Sequence, residues 1–110
     1  MEKAGYIQKG ETIDYANNGA SEIGYNDVVP LVTKIAIAAE KIPVGATGGL
    51  RVVGIYELPA VNDTAFVVGD QLYWDNIAGK LTKISAGNIA CGWCAEPKAQ
   101  AGTLARVKIG

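Results

Sequence analysis

The chain contains no histidine, only two cysteines, only two arginines and a single phenylalanine. Without imidazole it lacks the side chain best suited to moving protons near neutral pH, and also the commonest metal ligand. Serine–histidine–acid and cysteine–histidine catalysis therefore cannot be assembled from this chain alone. An excess of charge of one sign is missing too: ten basic residues face eleven acidic ones, for a net charge of −1. A domain that neutralises several phosphates carries a basic excess, so nucleic acid is not an expected partner. Long apolar runs are absent. The longest, Ile35–Ala39, falls far below the roughly 20 residues of a membrane span. Met1–Tyr6 lacks an apolar stretch of signal-peptide length. The expectation is a soluble protein with no membrane partner that starts in the cytoplasm of the cell that makes it.

What is present favours strands. Isoleucine and valine number 21 against six leucines, and β-branched side chains fit a pleated surface better than a helix. Fourteen glycines and four prolines, spread along the chain, mark frequent turns. A chain of 110 residues is one domain in size and can bury a core without disulfides or metal. The fold class expected is all-β: one small domain, a barrel or a sandwich, with short hairpins.

Along the chain, Tyr6–Tyr15 reads as a short strand, a kink at Gly10 and a second short strand. Asn17-Asn18-Gly19 is a turn signal. Asp27–Ala39 reads as a strand pair or one long bent strand, interrupted by Pro30, with one helical turn over Ile35–Lys41 as the alternative. Gly45–Gly49 is expected as a loop, and Leu50–Leu58 as one buried strand ended by Pro59. Gln71–Asp75 and Lys80–Ile84 flank an Asn- and Gly-containing loop and predict a hairpin. Two more strands are expected at Ile89–Ala95 and Thr103–Ile109, the latter with Thr103, Ala105, Val107 and Ile109 inward.

Cys91-Gly92-Trp93-Cys94 is the most conspicuous motif. A redox pair needs a helix N-terminus to acidify its first thiol, and zinc needs four soft ligands. Here the flanks read as strand and turn, and residues three apart in a regular strand face opposite sides. The cysteines are expected to be small apolar fillers, with a thiol-redox module using Cys91 and Cys94 as the alternative function. The glycine-rich Val44–Arg51 is no phosphate loop, since Leu50 follows Gly49 where lysine is required. Gly79-Lys80 fails as well, with Trp74 where the first glycine belongs. Among carboxylates, Asp70 and Asp75 lie five apart and Glu57 stands alone, so no pair suits glycoside chemistry. Tyr73 and Trp74 are adjacent, so one must face outward in a regular strand. They are the exposed-aromatic interface candidates, because such rings anchor protein partners. Tyr6 is a further exposed candidate.

Gly69–Asp75, Ala78–Thr82, a strand centred on Gly92 and the closing Arg106–Ile109 follow Tyr6–Ile13 and Gly54–Pro59 in order along the chain. That succession resembles the capsid cement, or head-decoration, proteins of tailed phages. Some members of the family carry a recombinase label, which the failed phosphate loop opposes here. The resemblance implies a small β-barrel or β-tulip domain without cofactor or catalysis. It implies a homo-oligomer, a trimer first and a dimer second, on the exterior of the virion, with the major capsid protein as partner. Residues 1–12 would form an arm plus first strand and residues 13–110 the domain. The capsid-contact candidates are Tyr6, Ile7 and Gln8, placed to add a strand to an exposed capsid sheet edge. A small β-barrel binding module remains the alternative to this reading.

Overall fold

The computed structural model describes all 110 residues. Nine strands form: β1 (Thr12–Ala16), β2 (Val28–Leu31), β3 (Lys34–Ala38), β4 (Thr47–Arg51), β5 (Gly54–Pro59), β6 (Gln71–Asp75), β7 (Lys80–Thr82), β8 (Ile89–Cys94) and β9 (Leu104–Ile109). There is no helix. Two antiparallel sheets result, a four-stranded one in the order β1-β4-β3-β2 and a five-stranded one in the order β5-β9-β8-β6-β7. A single parallel bridge, Ala60 to Leu81, ties the end of β5 toward β7 at the opposite edge. The sheet curls toward itself there, but no closed barrel forms.

β3 is the wall between two cores. Its apolar run buries alternate residues on opposite faces, as a strand covered on both sides must. Ile35 and Ile37 join Leu58, Phe66, Leu72, Trp74, Leu81, Val107 and Ile109 in the larger core between the sheets. Ala36 and Ala38 turn the other way, onto Val29, Ile42 and Leu50, with Ile13, Tyr15 and Ile23 packed around them. The helical alternative for Ile35–Lys41 is therefore not realised: burial on both faces of Lys34–Ala38 selects the extended chain.

The expected loop at Gly45–Gly49 is in large part strand. Gly48 and Gly49 lie in β4, between β1 and β3. A Cβ on Gly48 would stand 2.6 Å from Cγ1 of Ile42, so this glycine serves close packing rather than turning. The single strand expected over Leu50–Leu58 is interrupted at Val52–Val53. There the chain leaves one sheet for the other, and Gly54 turns it with a φ of 136°. The hairpin of β6 and β7 forms as expected. Asp75 Oδ1 accepts the backbone N–H groups of Ile77 and Ala78 at 3.0 Å each, which closes its turn. β9 turns Ala105, Val107 and Ile109 inward as expected, whereas Thr103 lies outside the strand and is exposed.

Two buried polar groups hold loops. Asn17 donates through Nδ2 to the carbonyls of Ser21 and Ile42, both at 2.9 Å, and accepts the Gly19 N–H at 3.1 Å. Lys98 has no carboxylate beside it. Its ammonium donates to the carbonyls of Ala99 and Gly102 at 2.9 and 3.0 Å and lies 4.9 Å from the centre of the Phe66 ring, which replaces water with a set of dipoles.

Candidate functional site

The cysteine motif is governed by a β-bulge. β6 and β8 pair in register at Tyr73–Ala90 and at Leu72–Gly92, so one residue of β8, Cys91, has no partner of its own. The extra residue resets the alternation. Both Cys91 and Cys94 consequently face the core, at 7 % and 0 % exposure, where a regular strand would have sent them to opposite sides. They are not disulfide-bonded. Cys91 Sγ lies 3.4 Å from the Leu72 carbonyl and Cys94 Sγ 2.9 Å from that of Glu96. Burial pushes the Cys91 thiol up to about 12, the opposite of what a reactive thiol needs. No helix N-terminus is nearby, and no three His, Cys, Asp or Glu residues stand close enough to share a metal ion.

The carboxylates are likewise in structural use. Asp70 Oδ2 accepts the Val67 N–H at 2.8 Å and pairs with Lys83 at 3.3 Å. The Val67 hydrogen bond, helped by Lys83, holds its carboxyl below the ordinary value. Asp75 caps the hairpin turn, and Glu57 pairs with Arg106 at 3.5 Å.

Two surfaces remain. The first is the segment preceding β1: residues 1–11 form no regular structure and all are exposed. Tyr6 and Ile7 stand 83 % and 86 % exposed. Gln8 makes a local bond to the Thr12 carbonyl at 3.2 Å, and the segment is rooted where Glu11 accepts the Val52 N–H at 3.0 Å.

The second surface is the outward face of the five-stranded sheet. The adjacent aromatics do not supply its exposed ring as expected. Trp74 lies in the core at 6 % exposure, its indole N–H donating to Asn76 at 3.2 Å, and Tyr73 is half-buried. The exposed indole is Trp93, at 45 %. It sits immediately after the bulge and in register with Lys108 and Gln71. Sequence parity missed it because the parity changes at Cys91. Gly92, inside a strand pattern, was the signal that could have revealed it. Away from this face, a groove of about 530 Å³ lies between the β2–β3 turn, Val52–Val53 and the ends of β8 and β9, lined mainly by apolar residues including Ile35, Val52, Cys91 and Ile109.

This two-sheet β domain buries both of its thiols and leaves apolar side chains on its surface. A family model described as phage cement protein matches residues 7–109. The chain belongs to that family, which makes it a structural protein of the phage capsid and points to a non-enzymatic role. No curated protein and no solved structure matches the chain.

Proposed function

We propose that this protein decorates the outer surface of a tailed-phage head, binding the major capsid protein as a homo-oligomer, a trimer in preference to a dimer. In this reading residues 1–12 act as the arm and first strand, and residues 13–110 as the body that covers the shell. The observation that carries the reading is the arm: eleven exposed residues with no partner strand, presenting Tyr6 and Ile7 to solvent.

Fully extended, eleven residues span roughly 36 Å, enough to reach across a subunit joint. Such a segment can add to a sheet edge on the capsid protein, main-chain hydrogen bonds giving affinity and Tyr6, Ile7 and Gln8 giving register. Burying one large apolar side chain contributes about 1.5–3 kcal/mol, modest for a single site. Repetition over a symmetric shell raises the effective concentration of every further contact. The redox alternative gains no support from thiols that are buried and hard to ionise.

Deletion of residues 2–8 tests the reading. Because residues 2–8 are exposed throughout and make only the local Gln8–Thr12 bond, the body should unfold within about 0.5 kcal/mol of the full chain. Attachment to heads purified without the protein should be lost. Undiminished attachment of the shortened chain would remove the arm from the account. Absence of the full chain from purified virions would remove the decoration role itself.

A further inference from the structure

We propose that a slot along the free edge of β5 receives an extended segment of the capsid protein, one of whose carboxylates pairs with Arg51. The inference rests on the decoration reading above, and names a grip that the body supplies in addition to the arm.

β5 ends one side of the five-stranded sheet, with β9 as its strand neighbour. Its other edge therefore turns every second N–H and C=O away from the sheet. At six residues it is the longest strand edge left open in the molecule. A cavity of about 340 Å³ runs along it. Four successive residues, Ile55–Leu58, line this space, although their side chains alternate between the two faces of the sheet. The space thus lies beside the strand and not over one face of it. Tyr25, Asn26, Ile37 and Arg51 complete the lining, the last two being register partners on β3 and β4.

Two polar groups in this lining are unpartnered. The half-buried Arg51 holds its guanidinium 5.9 Å from the centre of the Tyr25 ring. It forms no ion pair and no hydrogen bond, whereas Arg106, the other arginine, is held by Glu57 and Glu96. Glu57 also borders the slot, and its carboxylate is thereby engaged elsewhere. Asn26 is the one non-glycine residue with a left-handed backbone, at a φ of 67°. Its backbone N–H donates to the Ala38 carbonyl at 2.9 Å, while its exposed side-chain amide bonds to nothing.

These groups select the occupant. An open row of N–H and C=O takes an extended chain as an added strand. A free guanidinium takes a carboxylate through two parallel hydrogen bonds. Tyr25, Ile37 and Ile55 beside it exclude water once the slot is filled, which strengthens that pair. A basic or uncharged segment would instead leave Arg51 desolvated and unpaired, which is costly.

The test is co-sedimentation of the full chain with purified heads that lack it, together with hydrogen–deuterium exchange on the free and the attached chain. Arg51→Gln should weaken attachment at least about thirtyfold. Exchange at residues 54–59 of the wild-type chain should slow on attachment. Lys34→Gln removes an exposed cation of β3 that is also unpaired, and should attach like the wild type. A folded Arg51→Gln chain that attaches as well as the wild type overturns the proposal, as does unchanged exchange at residues 54–59. If Arg51→Gln does not fold, as judged by circular dichroism, the exchange measurement on the wild type decides. Slow exchange at these residues in the free chain, lost on deletion of residues 2–8, would give the slot to the chain's own arm. Slowing that follows the concentration of the free chain would give it to a second copy; either result overturns the proposal. A wild-type chain that fails to attach overturns decoration and this interface together, whereas undiminished attachment of Arg51→Gln leaves decoration standing.

Discussion

Replacing Gly92 by alanine probes the feature on which both the cysteine arrangement and the exposed indole depend. Gly92 has a φ of 150°, and a Cβ built on it collides with the carbonyl oxygen of Lys108. That oxygen belongs to β9, whose register with β8 is confined to Trp93–Lys108 and Cys94–Val107. Two costs therefore combine. Holding a non-glycine residue in this region of backbone space costs about 1–3 kcal/mol. Displacing β9 far enough to admit the methyl weakens the adjoining ladder, at about 1 kcal/mol for each hydrogen bond. The gain from a stiffer unfolded chain offsets only about 0.4–1 kcal/mol. A net loss of roughly 3 kcal/mol is expected, a large share of the ~5–15 kcal/mol that stabilises a domain. It should lower the melting temperature by more than about 10 °C. Gly79→Ala supplies the control, because its φ is also positive, at 68°, while nothing lies within 4 Å of the added Cβ. Urea titration followed by tryptophan fluorescence measures both variants. If Gly92→Ala costs no more than Gly79→Ala, the collision is being relieved cheaply and the bulge is not what fixes this edge of the molecule.

The buried thiol predicts an alkaline effect. Cys91 ionises near its ordinary value of 9.0 when unfolded and near 12 when native. Its contribution to stability is complete below pH 9 and is lost as pH rises toward 12, at about 1.4 kcal/mol per pH unit. Cys91→Ala should remove that slope in denaturation curves taken between about pH 8 and about pH 11; equal slopes in both proteins would refute the assignment. Asn17→Ala should cost about 2 kcal/mol, since it deprives the Ser21 and Ile42 carbonyls of a buried donor. A loss below about 0.5 kcal/mol in the same assay would mean that water replaces the amide.

Much of this molecule was legible in its residues. β-branched excess and even turn spacing gave the all-β class, and Gln71–Asp75 with its Asn- and Gly-containing loop gave the hairpin. Two of the misreadings share a cause: glycine has two uses that sequence does not separate. Gly48 and Gly49 looked like a loop because their composition is that of a turn, but both lie in β4, and Ile42 needs the space that a Cβ on Gly48 would fill. Gly92 allows the bulge that turns Cys91 and Cys94 inward together. Adjacency on one strand drew attention to Tyr73 and Trp74, while the accessible indole lay beyond the bulge on β8. The interruption at Val52–Val53 was hidden for another reason. An apolar run has the same appearance whether it stays in one sheet or crosses to the next.

β3 gives one face to each core, and this has a mechanical meaning. With Ile37 and Ala38 back to back on one ribbon, β3 cannot leave its place without opening both interiors at once. Strain that reaches this strand is thereby passed to both flanks of the body, which makes β3 the member whose loss undoes the whole.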